Sequence, residues 1–241
     1  MGTLSAVSLG WATRGLVTTI SAQGTTVTLD NPGLEAPYPP FEGTGELKTA
    51  SGWRPWWAED TRRPEYLPDS DHIHNGELGQ KQFTTFDTVD AGLFQEVDVT
   101  PGQWYRFTAW VLMQSTGDSG DLSAMVCVNP WARWDIAHRT TVCGMEITRT
   151  YGEWVQVEVT AQAFTDKMTV AARGVAKWPV AYNDFFWDDL TLQAVTVGGT
   201  CPTPAPVPTV APCPTREPGT CQGATLAEIE ALLRGMEWGV R

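Results

Sequence analysis

Short runs of alternating or β-branched residues recur at intervals of about ten positions through residues 1–197, with turn formers between them. No long stretch carries a helical period. Because each short strand can bury one face, such a chain suits two packed sheets, most simply a jelly roll. The sequence predicts an all-β jelly-roll β-sandwich with strands at 16–20, 25–29, 46–50, 80–86, 93–99, 104–114, 122–128, 140–147, 155–160, 168–174 and 185–195. The first two strands are expected to form a hairpin.

Composition changes sharply after Val197. The segment GGTCPTPAPVPTVAPCPTREPGTCQG has only Arg216 and Glu217 as charged residues, which predicts an extended, polyproline-like linker. A capping box at 225–228 and an apolar stripe then predict a short helix. That helix either docks on its own domain or serves self-association or binding of a partner. The predicted division is an N-terminal extension at 1–29, a jelly-roll domain at 30–197, a linker at 198–223 and a helix at 224–241.

The chain is acidic, with 16 Lys plus Arg against 28 Asp plus Glu and a formal charge of −12. Binding to a phosphate backbone or an anionic membrane needs clustered cations, so nucleic acid and membrane surfaces are disfavoured as partners. No apolar run approaches the roughly 18 residues of a membrane-spanning helix. The N-terminus lacks the pattern of a secretory signal. We expect an extracellular, cell-surface or virion-surface location, reached by another export route, by lysis, or after removal of a signal.

Twelve of the 241 residues are tryptophan, and one predicted strand carries two of them. In the strand 104–114, one face is apolar and should lie in the core. The opposite face combines indoles with polar groups, at Trp104, Arg106, Trp110 and Gln114. Aromatic planes that pack on the C–H face of a sugar, beside groups that bond its hydroxyls, are typical of a glycan site. The alternative is that a loop or the C-terminal helix covers these side chains.

Predicted loops hold most of the other tryptophans, and aromatic residues on loops are often functional. The segment 52–57 contains three indoles, and a short charged segment with a phenol follows it. Packing under a long loop is the alternative for these residues. The loop candidates for sugar contact are Trp53, Trp56, Trp57, Arg63, Glu65, Tyr66, Trp131, Trp134 and Trp178.

Several motifs over residues 29–192 have the order and spacing of a known family. They are Asn31-Pro32-Gly33-Leu34-Glu35, Gly92-Leu93-Phe94-Gln95-Glu96-Val97, Pro101-Gly102-Gln103-Trp104-Tyr105, Phe107-Thr108-Ala109-Trp110-Val111, Tyr151-Gly152-Glu153-Trp154-Val155 and the closing segment 183–190. The chain resembles carbohydrate-binding modules with a galactose-binding-like jelly roll, the group that includes xylan- and β-glucan-binding modules. The resemblance implies a structural Ca²⁺ held by Glu35 and by Asp188 or Asp189; the alternative is solvated carboxylates.

Cys127 and Cys143 lie in two β-like segments on either side of one loop, which suits either a cross-strand disulfide or a pair of buried thiols. The other cysteines, Cys201, Cys213 and Cys221, match no zinc pattern. Since their number is odd, at least one of them is free or pairs with another chain.

Enzyme signatures are poor, because the chain has no G-x-S-x-G, no H-E-x-x-H and no phosphate-binding glycine loop. His72 and His74 could share one face, but nothing nearby completes a zinc site. The leading prediction is a non-catalytic domain that binds a neutral glycan by tryptophan stacking and polar side chains. A structural or adhesive protein that self-associates through its C-terminal segment is the second hypothesis. A glycosidase is the third, with carboxylates available at Glu65, Asp69, Asp71 and Glu146.

Overall fold

The structure is a computed structural model, and it describes residues 19–21 and 25–198. Within these ranges the chain forms strands joined by turns and one short 3₁₀ turn at Thr116–Asp118. The strands are β1 (Thr19–Ser21), β2 (Thr26–Val27), β3 (Pro40–Phe41), β4 (Thr44–Lys48), β5 (Arg54–Trp57), β6 (Glu65–Asp69), β7 (Gly79–Thr84), β8 (Val89–Asp98), β9 (Trp104–Ser115), β10 (Leu122–Asn129), β11 (Val142–Cys143), β12 (Ile147–Thr148), β13 (Val155–Gln162), β14 (Lys167–Ala176) and β15 (Asn183–Gly198).

The strands form two sheets. The first has the order β13-β9-β15-β7-β6-β4-β3, with β1 and β2 also paired to β15, and the second has the order β11-β10-β14-β8-β5, with β12 paired to β10. Neighbouring strands are antiparallel except β4 and β6, which pair in parallel at one position. The predicted all-β, two-sheet sandwich is confirmed. In the described part of the chain, no helix is long and apolar enough to cross a membrane.

The core lies between the sheets and is built from the alternating residues of the long strands. On β9 the predicted apolar face is confirmed, since Tyr105, Phe107, Ala109, Val111 and Met113 are all buried. On β15 the same role falls to Phe185 and Trp187, which are both fully buried. Because successive residues of a strand point to opposite faces, this core fixes which side chains of each strand point outward.

The described residues of the predicted N-terminal hairpin, 19–21 and 25–29, pair elsewhere. The strands β1 and β2 do not pair with each other. Instead, β1 pairs with the end of β15 at 196–198, and β2 pairs with β15 at 192–193. The reason is the length of β15, whose 16 residues offer a long edge to both short segments. The predicted strand at 140–147 is also wrong in extent, since only the two-residue strands β11 and β12 pair there, both with β10.

Two strands stand where loops were predicted, and both contain proline. Pro55 lies in β5, and Pro68 lies in β6. Proline lacks an N–H and is tolerated mainly at the edge of a sheet. Since β5 is the edge strand of the second sheet, the missing donor at Pro55 costs no ladder bond there.

The predicted linker at 198–223 and helix at 224–241 lie outside the described residues apart from Gly198, which closes β15. The same holds for Cys201, Cys213 and Cys221. Self-association or docking through the C-terminal segment therefore stays a prediction.

Candidate functional site

The outer face of the second sheet carries two aligned rows of side chains at its β5 edge. In one row Arg54 lies opposite Phe94 of β8. In the next row Trp56 lies opposite Gly92, which lies opposite Arg173 of β14. Gly92 presents no side chain between its neighbours, and the Arg173 guanidinium lies 5.6 Å from the Trp56 ring centroid. The sheet thus presents aromatic rings beside two cations on one surface.

These rows form one wall of a groove, which we call the aromatic groove. Its volume is about 360 Å³. Trp56 is only 4% exposed and lies at its base, whereas Trp134, from the loop after β10, is 68% exposed. The groove is therefore apolar below and open to solvent above. Its lining residues are Phe41, Arg54, Pro55, Trp56, Trp57, Phe94 and Trp134.

The loop that carries Trp134 is fixed at both ends. Cys127 of β10 and Cys143 of β11 lie opposite each other and form a disulfide. Between them, Ile136 is buried against the Trp56 and Phe94 side chains, in a small apolar cluster on the outer face of the sheet. The loop is thus both cross-linked and packed, which places Trp134 beside the groove. Of the two possibilities for this cysteine pair, the structure has the disulfide.

A set of buried contacts positions the start of β5. The Gln95 side chain accepts a hydrogen bond from the Asp30 N–H at 2.8 Å and donates to the Gly52 carbonyl at 3.0 Å. Gly52 has a φ of +89°, and a Cβ there would lie 2.5 Å from the Asp30 Cβ. Only glycine suits this turn, because it combines a left-handed backbone with close contact. The Trp53 indole N–H donates to the Asn31 carbonyl at 3.0 Å.

Two predicted sugar contacts are wrong because their side chains belong to the core. Trp53 is 3% exposed and anchors the entry to β5. Tyr66 is fully buried, and its hydroxyl hydrogen-bonds the carbonyls of Trp56 and Gly92 at 3.0 and 2.8 Å. Burial raises the pKa of this phenol far above its ordinary value. Both residues position the groove from below without facing a ligand.

The outer face of the first sheet is also aromatic, but residues 70–78, here called the covering loop, lie across it. His74 stacks on Trp110 with ring centroids 4.1 Å apart, and His72 stacks on Phe186 at 4.0 Å. The Gln114 amide donates to the His72 ring at 3.1 Å. A loop of the protein thus stacks on Trp110, as the alternative to ligand contact predicts, whereas Gln114 also lines a cavity of about 360 Å³ with Tyr151 and Tyr182.

Two acids, one of them buried, hold the covering loop in place. Asp188 accepts the backbone N–H groups of His74 and Asn75 at 2.9 and 3.1 Å, and Glu35 accepts those of Glu77 and Leu78 at 2.8 and 3.1 Å. Burial raises the pKa of Asp188, and these N–H bonds partly offset the rise. The nearby Asp189 instead contacts the His74 ring at 2.6 Å.

Oxygen atoms converge beside these acids. The Tyr38 hydroxyl hydrogen-bonds the carbonyls of Leu34 and Gly79. Burial and the neighbouring charges of Glu35 and Asp188 raise the pKa of this phenol. In residues 19–21 and 25–198, no group of three or more His, Cys, Asp or Glu side chains is close enough to hold a metal. A cation here would therefore depend on carbonyl and phenol oxygens besides the carboxylates, a donor set that suits a hard ion such as Ca²⁺.

The remaining predicted site residues lie apart from the groove. Trp104 is exposed at the start of β9, and Arg106 lies 4.0 Å from Glu158. Arg63 pairs with Glu46, and Glu65 is half-buried on β6. The predicted loop tryptophans also separate: Trp131 stacks on Phe164 at 5.0 Å, and Trp178 is 59% exposed. Of the predicted residues, the groove brings together Trp56, Trp57 and Trp134.

Four residues of the groove were missed by the sequence analysis. They are Phe41, Arg54, Pro55 and Phe94. Arg54 and Pro55 lie within the tryptophan-rich segment, so that segment contained a usable signal. Phe41 and Phe94 come from distant parts of the sequence, and only the pairing of β5 with β8 brings Phe94 to the site.

No protein-family model and no curated protein matches the sequence. Among solved structures, the chain is similar to TmCBM61 in complex with β-1,4-galactotriose, at 22% identity and a TM-score of 0.45, over 70% of this chain and 98% of that chain. It is also similar to the C-terminal family 22 carbohydrate binding module of Clostridium thermocellum Xyn10B, at 13% identity and a TM-score of 0.44, over 71% of this chain and 99% of that chain. The CBM22-2 xylan-binding domain of Paenibacillus barcinonensis Xyn10C is similar at 16% identity and a TM-score of 0.43, over 60% of this chain and 92% of that chain. At these values the likeness describes the fold alone, so the ligand must follow from this chain's own residues.

Proposed function

We propose that this domain binds a mainly neutral glycan in the aromatic groove and does not cleave it. The observation that carries the proposal is the groove lining: five aromatic side chains and one proline around about 360 Å³, with Trp134 largely exposed. Sugar rings present flat C–H faces that pack on such planes, and the aromatic surface excludes water from the contact.

The lining also supports a binding role without hydrolysis. Hydrolysis of a glycosidic bond needs two carboxyl groups roughly 5 to 10 Å apart across the bond. Among the described residues, no Asp or Glu lines the groove. Asp69, one of the candidate carboxylates, contacts His72 of the covering loop and so belongs to the other sheet. The groove thus has stacking surfaces and no pair of acids for catalysis.

The structural Ca²⁺ belongs to the same proposal. Glu35 and Asp188 would hold it together with carbonyl and phenol oxygens near Tyr38. A cation there would join the first and last motifs of the domain and stabilise the covering loop. It would act on stability and would not contact the sugar.

The disulfide supports the proposed location. Cross-links such as Cys127–Cys143 persist in oxidising surroundings and are rare in the cytosol. An extracellular, cell-surface or virion-surface protein is therefore the location that fits the groove and the cross-link together.

Affinity electrophoresis in gels containing soluble xylan, galactan, β-glucan or mannan tests the proposal, followed by calorimetry with oligosaccharides of the retained polymer. We expect retardation by at least one polymer. Trp134→Ala should weaken binding about tenfold, since a stacked aromatic contributes roughly 1 kcal/mol beyond its buried area. Its thermal stability should be unchanged because the side chain is mostly in solvent.

Trp178→Ala is the matched control, because Trp178 is similarly exposed and lies outside the groove lining. Its affinity should equal that of the wild type. Failure to bind any of the four polymers at millimolar sugar concentration would contradict the proposal. Equal losses in both variants would place the site elsewhere.

A further inference from the structure

Arg54 places an exposed guanidinium group in the aromatic groove. Its Cζ lies 5.5 Å from the Phe94 ring centroid and 5.9 Å from that of Phe41. Cation–π contacts of this length hold the side chain against the rings. Among the described residues, none of the ion pairs involves Arg54. The groove therefore contains a positioned cation whose charge no described side chain compensates.

Arg173, in the next row of the same face, is different. Its Nε donates to Asp90 Oδ1 at 2.7 Å, and a second guanidinium N–H donates to Asp90 Oδ2. This bidentate ion pair neutralises the Arg173 guanidinium group and uses the two N–H donors that face the Asp90 carboxylate. Two arginines thus lie beside the groove aromatics, and only one of them has a carboxylate partner.

The neighbouring acid on β8 is also engaged. Glu96 follows Phe94 by two residues and so stands on the same face as the groove. Its Oε1 lies 3.0 Å from the Lys167 Nζ. Lys167 contacts Asp98 as well, at 3.4 Å, so both acids at this end of β8 pair with Lys167 and neither pairs with Arg54. The positive charge of Arg54 consequently faces the open groove.

We infer that the groove selects a glycan bearing a carboxylate, such as a uronic acid residue or side group, and that Arg54 binds this carboxylate. The inference rests on the proposed function and names its substrate class. A guanidinium group offers parallel N–H donors that match the two oxygens of a carboxylate. Phe94, Phe41 and Trp134 would pack on the sugar ring that carries it. The inference thus refines the predicted neutral glycan to a neutral chain that carries some acidic residues.

The net charge limits how acidic the glycan can be. At −12 the protein repels a densely charged polyanion. At physiological ionic strength such repulsion is screened beyond about 8 Å, while a direct guanidinium–carboxylate contact is screened much less. Sparse carboxylates on an otherwise neutral polymer therefore fit this chain better than a continuous polyuronate.

Matched pairs of oligosaccharides test the inference, each an acidic compound and its own carboxyl-reduced form. The pairs are a glucuronate-substituted xylo-oligosaccharide, a galacturonate-bearing galacto-oligosaccharide and a glucuronate-bearing gluco-oligosaccharide. We expect the wild type to bind the acidic member of at least one pair about tenfold more tightly than its reduced form. The preference should shrink as NaCl rises from 50 to 500 mM.

Arg54→Gln should remove the preference, bringing the two members of that pair within about twofold, and Arg54→Lys should retain part of it. Trp134→Ala should weaken both members equally, because stacking does not distinguish them. Equal binding of both members by the wild type overturns this inference and leaves the proposed function intact. A preference that persists in Arg54→Gln also overturns it. No binding to any member overturns the proposed function and the inference together.

Discussion

The two outer faces of the sandwich carry similar side chains but differ in what covers them. On the first sheet, Trp110 and Phe186 are each stacked by a histidine of the covering loop. On the second sheet, Trp134 and the aromatic groove remain open, although the disulfide-bonded loop packs beside them. The same residue types therefore serve internal packing on one face and an accessible surface on the other.

The difference comes from where each covering segment is fastened. Asp188 and Glu35 fix the covering loop through four backbone N–H groups, which holds it over the aromatic side chains of β9 and β15. The loop after β10 is held by the disulfide, by buried Ile136 and by the stacking of Trp131 on Phe164, and none of these contacts covers Trp134, which stays 68% exposed. The position of the anchors, more than the composition of the face, determines whether an aromatic residue can meet a ligand.

Loss of the disulfide should have the largest effect. Cys127→Ser combined with Cys143→Ser removes a cross-link spanning 16 residues, for which we expect a loss of about 3 kcal/mol in the free energy of unfolding. Urea denaturation measures this loss. Glycan affinity should fall as well, because the Trp134 loop loses its fixed end. Wild type treated with reductant should behave like the double variant, and an unchanged urea midpoint in both would contradict the role assigned to the cross-link.

Calcium should stabilise the domain and leave the groove unaffected. At a concentration a hundred times its Kd, the ion should add about 2.7 kcal/mol, seen as a higher Tm. Glu35→Gln should abolish the Tm response, since one of the proposed ligands is lost. Glycan affinity of the wild type should be the same with Ca²⁺ and with EDTA. A Tm that is identical in both buffers argues against the cation.

Removing an anchor of the covering loop should affect stability and leave the groove unchanged. In EDTA buffer, Asp188→Asn places an amide among the N–H donors of the loop and should cost about 2 kcal/mol, as unpaired buried donors do. Asp189→Asn is the control: its side chain is partly exposed and accepts no backbone N–H of the covering loop among the described residues, contacting the His74 ring instead, so its cost should be much smaller. Differential scanning calorimetry separates the two, and equal costs would show that Asp188 has no special role.

The smallest effect is expected from His74→Ala. Loss of the stacking contact with Trp110 should cost about 1 kcal/mol and open that indole to solvent. Iodide quenching of tryptophan fluorescence should increase, while groove affinity stays constant. A rise in glycan affinity would instead mean that the first-sheet face also binds sugar once uncovered.

Local patterns were sufficient for part of the fold. The alternation of residues 104–114 correctly predicted a strand with one buried face, because the strand period of two is independent of its partners. It could not predict what covers the other face. The covering loop reaches Trp110 through Asp188, which lies more than a hundred positions from His74 in the sequence.

The segment 52–57 combines proline with tryptophan, and the loop predicted there is wrong for residues 54–57. Pro55 indicated a loop, yet β5 is an edge strand in which its missing N–H is harmless. Trp53 and Trp56 are three positions apart in sequence, but the turn at Gly52 directs the first into the core, while the second lies at the base of the groove. Such a division follows from strand pairing and the inward or outward direction of each side chain, neither of which composition reports.

By itself the sequence determined that this chain is an acidic, all-β sandwich with an excess of indoles, because strand period, charge and residue type are local properties. It also placed two cysteines on either side of one loop. The tertiary structure decided which aromatics are accessible, that Arg54 lies among them without a described carboxylate partner, and that two acids fasten a loop over the other face. These facts depend on contacts between residues far apart in the chain, and folding alone brings such residues together.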